Sequence, residues 1–186
     1  MKILTEVVGQ RQFKYVIQEL TAPNFPWYYL RSTAYPPEAK ISFHQAADAS
    51  FSHILLENDF ESPFCQMFLD MVLTIFDNAN EDFETIGRLR LGLIPRTAKP
   101  ITHLPHVDYY EEHKTALICL SGDSGPTDFY KEKYVVGSDK VSEKFTKMKS
   151  VKPQANQVVF FDGLIFHSST TPTTDEPRIM LNVNYK

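Results

Sequence analysis

The chain has 186 residues, 42% apolar and 23% charged, enough for one globular domain with a substantial core. Nineteen basic against 23 acidic side chains give a net charge of −4, which excludes a global field that would recruit nucleic acid. The two cysteines, Cys65 and Cys119, are too few for a disulfide framework and read as reduced core residues.

Met1–Glu6 lacks the apolar run of a signal peptide, and no stretch approaches membrane-span length, so the expectation is a soluble, cytoplasmic protein. Residues 10–20 place Phe13, Val16, Ile17 and Leu20 at helical spacing. The aromatic run Asn24–Leu30 reads as an irregular or short extended segment, and Thr33–Ser42 as a proline-containing loop. Ser62-Pro63 predicts a helix with serine as N-cap and proline at the first helical position. Its apolar stripe is Phe64, Met67, Phe68, Met71, Val72 and Ile75, ending near Asn78–Asn80.

From Thr85 the apolar period changes to two. Thr85–Ile94 sets Leu89, Leu91 and Leu93 against Arg88 and Arg90. Further strands are predicted at Lys114–Leu120, Thr127–Tyr130, Tyr134–Val136, Lys144–Val151, Gln157–Phe161, Leu164–Ser169 and Arg178–Tyr185. The last opposes Ile179, Leu181, Val183 and Tyr185 to Arg178, Met180, Asn182 and Asn184. High aromatic content, 14 Phe and 9 Tyr, also favours strands. The reading is a mainly β (α+β) single domain, 1–186: a helical and loop cover to residue 84, then a jelly roll, with the helices packed on one sheet. The polar faces of the two alternating strands either look between the sheets into a wet cavity or look out to solvent.

His106-Val107-Asp108 places an imidazole and a carboxylate at i and i+2, on the same side of an extended segment. A mononuclear non-haem iron site needs one more imidazole. His44 and His53 fall in the N-terminal cover, His103 before a proline-containing turn, and His113 in a charged loop. His167 follows the apolar run Val158–Phe166, as either a core residue or a ligand. Arg178 opens the last strand. Asp162-Gly163 reads as a turn. Arg88 and Arg90 read as partners for the acidic stretch Glu57–Glu84, which holds eight acids and no Lys or Arg, with substrate contact the alternative. Seven lysines in Lys131–Lys152 either form a solvated face or guide an anionic substrate. The Phe25–Tyr29 cluster reads as core packing rather than a substrate wall.

The ordered set His106-x-Asp108, His167 and Arg178 resembles the 2-oxoglutarate- and Fe(II)-dependent dioxygenases, and among them the prolyl-4-hydroxylase-like branch of small oxygenases, some of them found in phages. The resemblance covers residues 85–186 and includes Gly125-Pro126-Thr127-Asp128-Phe129, Asn156–Gly163 and the Arg178–Asn184 run. It implies a hydroxylase in which His106, Asp108 and His167 are the metal ligands and catalytic residues. The cofactors implied are Fe(II), 2-oxoglutarate as co-substrate, and O2. Arg178 would bind the distal carboxylate of 2-oxoglutarate. Met180 stands where relatives place a second contact, so that help is sought from Asn182, Thr115, Tyr109 or Tyr110; Thr127 and Phe129 would pack or line the pocket. Asp108 argues against halogenation. The primary substrate is left open, as protein side chain, nucleobase or metabolite. A catalytically silent jelly-roll binding protein and a metal-dependent hydrolase are the rival functions.

Overall fold

In a computed structural model, residues 1–31, 49–138, 142 and 144–186 are described. The expected loop Thr33–Ser42 and His44 lie outside them. Helix α1, Gln10–Leu20, forms where its spacing predicts, with Phe13, Val16 and Leu20 buried. Helix α2 runs Cys65–Ala79. Ser62 is not its N-cap: a turn precedes the helix, with the Cys65 N–H donating to the Ser62 carbonyl at 2.9 Å. The Ser62 hydroxyl accepts from the Phe64 N–H at 3.2 Å and meets His53 Nε2 at 2.7 Å. Asn80 closes α2 in the left-handed conformation (φ 48°), a position asparagine tolerates better than most residues.

Four strands lie in the first third: β1 (Lys2–Thr5), β2 (Tyr28–Leu30), β3 (Ser50–Glu57) and β4 (Phe60–Glu61). The stretch to residue 84 is therefore more than a cover of helices and loops. The remaining strands are β5 (Ile86–Ile94), β6 (Lys114–Ser121), β7 (Thr127–Lys133), β8 (Lys147–Val151), β9 (Gln157–Asp162), β10 (Ile165–Ser169) and β11 (Arg178–Tyr185). Tyr134–Val136 is not a strand. There the chain leaves the sheet, after the Tyr134 N–H donates to the Leu164 carbonyl at 2.8 Å.

An eight-stranded sheet runs β1-β9-β6-β11-β5-β3-β2 with β4 on β3, and faces a three-stranded sheet, β10-β7-β8. All named pairs are antiparallel. The large sheet's two faces divide the chemistry. Leu89, Leu91, Ile179, Leu181, Val183 and Tyr185 join Val16, Leu20 and the α2 stripe in the main core. The helices thus bury their apolar stripes on that face, as a one-sided stripe must. Leu89, Leu91 and Leu181 are fully buried, each contributing about 1.5–3 kcal/mol. Between the sheets, Leu117, Phe129, Val151, Val159 and Phe161 form a second apolar cluster. The polar faces of β5 and β11 look into this same intersheet space. Both cysteines are free and buried, and among the described residues no helix is long and apolar enough to cross a membrane.

Candidate metal and co-substrate site

His106 and His167 are joined by an isolated antiparallel bridge, each N–H donating to the other's carbonyl, at 2.9 and 3.0 Å. Opposed residues of such a bridge project to the same side, and the ring centroids lie 4.6 Å apart. Each Nδ1 meets the carbonyl two residues earlier, Leu104 at 3.2 Å and Ile165 at 3.1 Å. A carbonyl only accepts, so Nδ1 carries the proton and Nε2 is left with its lone pair for a metal. Phe129 and Phe161 pack around the His167 ring. Asp108 completes the group: ligand atoms of the three residues lie within 4.8 Å of one another.

The Asp108 carboxylate is held from behind. Arg88 Nη2 donates to Oδ1 at 2.9 Å, and the Asn184 amide to Oδ2 at 3.0 Å. The Asn182 amide reaches both oxygens, at 3.2 and 3.1 Å. Burial acts to raise this carboxyl, but the fields of His167, Arg88 and His106 and the Asn184 bond outweigh it. They hold Asp108 far below the usual carboxylate range. Burial, reinforced by the field of His167, pushes His106 down to about 4. A neutral His106 and an ionised Asp108 are protonation states that metal binding requires.

Arg178 lies in the same cavity of about 100 Å³ as His106, Asp108 and His167. It is 1% exposed. Its Nη2 donates to the Thr127 hydroxyl at 2.5 Å, while Nε and Nη1 are buried without a partner among the described residues. Burial pushes its pKa down to about 10. A guanidinium with half its fork unused, among buried surroundings, fits an incoming carboxylate.

The other expected contacts divide. Asn182 lines the cavity, with Oδ1 buried and unpartnered. Thr115 does not: it is fully buried, and its hydroxyl accepts from the Asn184 amide at 3.0 Å. Tyr109 is also turned away from the cavity. Its hydroxyl donates to Glu57 at 2.9 Å and its ring lies 4.7 Å from the Arg88 guanidinium carbon. Thr115 and Tyr109 thus buttress the residues that hold Asp108. Tyr110 is exposed against Tyr134. The hydroxyl beside Arg178 is that of Thr127.

Arg88 meets an acid of the Glu57–Glu84 stretch, Glu57 at 3.8 Å, but its shorter ion pair is with Asp108. Arg90 pairs with no acid among the described residues; its Nε donates to Ser52 Oγ at 2.9 Å. The remaining described histidines have other roles. His53 bridges the Pro26 carbonyl and Ser62, His103 Nδ1 meets Ser169 Oγ at 2.8 Å, and His113 Nδ1 meets the Glu111 carbonyl. Phe25 packs on Trp27, His53 and Phe64, so it belongs to the core. Asp162 accepts from the Leu164 N–H and pairs with Lys133 across its turn. No described lysine of residues 131–152 lines the cavity. Lys147, on β8, pairs with buried Asp128. Arg88 and Asn184 are site residues that sequence reasoning did not assign; their register with Asp108 depends on long-range pairing, although the Arg/Asn faces of β5 and β11 signalled them.

No protein-family model matches this chain, and no curated protein matches it. Solved structures do. A prolyl-4-hydroxylase from Pseudomonas putida is 13% identical, over all of this chain and 91% of that one, with a TM-score of 0.59. A prolyl hydroxylase from Trichoplax adhaerens, in complex with a peptide of the hypoxia-inducible-factor oxygen degradation domain, is 10% identical over 99% and 82%, with a TM-score of 0.65. The non-haem alpha-ketoglutarate-dependent epimerase SnoN of nogalamycin biosynthesis is 14% identical over 98% and 76%, with a TM-score of 0.66. Over nearly its whole length, this chain has the jelly-roll fold of the 2-oxoglutarate/Fe(II) oxygenases.

Proposed function

We propose that this protein is an Fe(II)- and 2-oxoglutarate-dependent dioxygenase, with hydroxylation as its default outcome. The observation that carries the reading is a single cavity with two poles: three ligand atoms within 4.8 Å of one another, and a buried guanidinium with two unpartnered nitrogens. The donor set fits ferrous iron, since two imidazoles and one carboxylate leave coordination positions open. His106, Asp108 and His167 would hold it. Arg178, oriented by Thr127, would receive the distal carboxylate of 2-oxoglutarate. Bound there, iron with 2-oxoglutarate and O2 supplies the oxidising power for attack on a substrate C–H bond.

The chain's own residues do the rest. The two Nδ1–carbonyl contacts fix the imidazole tautomers. Arg88, Asn182 and Asn184 keep Asp108 ionised and oriented. Phe129 and Phe161 keep water from one side of His167. A metal-dependent hydrolase would use the ligands but has no need of the Arg178 pole, and a silent binding protein has no need of an ionised Asp108 facing two imidazoles. Among its neighbours, one was solved with a peptide and SnoN with nogalamycin RO, so the fold admits both protein and small-molecule substrates. The test is succinate formation from 2-oxoglutarate by the Fe(II)-loaded protein. Turnover lost in His106→Ala supports the assignment, and a wild type that yields no succinate with any candidate substrate refutes it.

A further inference from the structure

Arg178 is not the only guanidinium in the cavity. Arg90, on β5, lines the same space as His106, Asp108 and His167, beside Asn182, its cross-strand partner on β11. Its neighbour two residues back, Arg88, is consumed by Asp108, Glu57 and Asn184. Among the described residues, the one hydrogen-bond partner of Arg90 is the Ser52 hydroxyl, which accepts from Nε and fixes the direction of the fork. Ser52 itself donates to the Leu91 carbonyl at 3.0 Å, so the hydroxyl is spoken for on both sides. Neither outer nitrogen of Arg90 has a hydrogen-bond or ion-pair partner among the described residues.

The charges that follow rest on the oxygenase reading above. Asp108 and the chelating end of 2-oxoglutarate balance the metal; the distal carboxylate balances Arg178; Glu57 balances Arg88. Arg90 remains as one positive charge in the cavity with no counter-ion among the described residues. A cation in a partly desolvated pocket is costly unless a ligand neutralises it, and a planar fork suits an oxyanion. We propose that Arg90 is a specificity-determining residue that binds an oxyanion, carboxylate or phosphate, on the primary substrate, so that the enzyme takes acids in preference to neutral compounds. The strand pairing places Ile54, 38% exposed, opposite Arg90 on β3. An acid whose charged end is held at Arg90 would lay its carbon skeleton between that residue and the metal ligands.

The test uses the full chain loaded with Co(II) as a paramagnetic stand-in for iron and saturated with 2-oxoglutarate. Inorganic phosphate and carbon-13-labelled acetate are added separately, and broadening of their nuclear resonances reports binding near the metal. One or both anions should broaden in the wild type, and the tighter of the two names the oxyanion. Arg90→Gln should weaken that binding on the order of 10- to 100-fold, and Arg90→Lys should restore part of it. Calorimetric affinity for 2-oxoglutarate should change less than twofold in Arg90→Gln. Absence of broadening in the wild type, or equal broadening in Arg90→Gln, overturns the proposal. So does a large loss of 2-oxoglutarate affinity, which would place Arg90 in the co-substrate site instead. If 2-oxoglutarate fails to bind the metal-loaded wild type, it is the oxygenase reading that fails. Arg90 is then judged by the anion titrations with metal alone, Arg90→Gln against Arg178→Met.

Discussion

Replacing Arg178 with methionine should move stability and co-substrate affinity in opposite directions. The guanidinium is 1% exposed and, among the described residues, has one side-chain partner and leaves Nε and Nη1 unpaired. Burial lowers its pKa from the ordinary 12.5 to about 10. A base held below its unfolded pKa destabilises the folded state at every pH beneath the folded value, here by about 3 kcal/mol as an upper figure. Methionine fills similar volume without the charge. Part of the gain is lost to imperfect packing and to the stranded Thr127 hydroxyl, leaving about 1–2 kcal/mol. For a chain of this length that is a rise in Tm of roughly 2–8 °C in the absence of ligand. Affinity for 2-oxoglutarate should fall about 100- to 1000-fold, the loss expected when a bidentate charged partner is removed. Scanning calorimetry of the ligand-free protein and titration of the metal-loaded protein with 2-oxoglutarate read the two effects separately. A variant that melts lower and binds 2-oxoglutarate unchanged would show that Arg178 is a structural residue, and would refute the assignment.

Arg88→Met should weaken Co(II) or Fe(II) binding about 10- to 100-fold by freeing Asp108 to reorient, measured by metal titration; unchanged affinity would mean Asp108 is held by Asn182 and Asn184 alone. Metal-free protein should lose stability as pH falls from 6.5 towards 4, because the unfolded chain protonates His106 below 6.5 and the folded chain only below about 4. The loss is about 3 kcal/mol at most, and urea midpoints across that range should flatten in His106→Gln. Gly125→Ala should destabilise by about 2–4 kcal/mol in chemical denaturation. Its φ is +77°, and a Cβ there would stand 2.4 Å from the Thr170 carbonyl oxygen, on the turn that leads to Thr127. Little change in the midpoint would mean that this turn yields easily.

What was legible in the sequence follows the range of the forces involved. The α1 helix and strands β5 and β11 declare themselves because burial of one face writes a period into adjacent residues, and β6 and β9, buried on both faces, as continuous apolar runs. Strand β3 did not, although Ser50–Glu57 alternates as SFSHILLE. Its site-facing positions are two serines, which read as loop, and its other face carries His53, whose polarity is satisfied only by Pro26 and Ser62, 27 and nine residues away. The ordered triad was legible as a pattern. Asp108's supports were harder to assign, because Arg88, Asn182 and Asn184 reach it through pairing of β5 with β11, 90 residues apart in the chain. The same pairing explains why the substrate question passes to Arg90. Along β5 the two arginines are equivalent, each one residue from a buried leucine. The bulge in β3 between Ile54 and Leu56 breaks that equivalence, setting Glu57 opposite Arg88 and Ile54 opposite Arg90. One arginine is thereby given Glu57 and spent on Asp108, and the other keeps its charge facing the cavity.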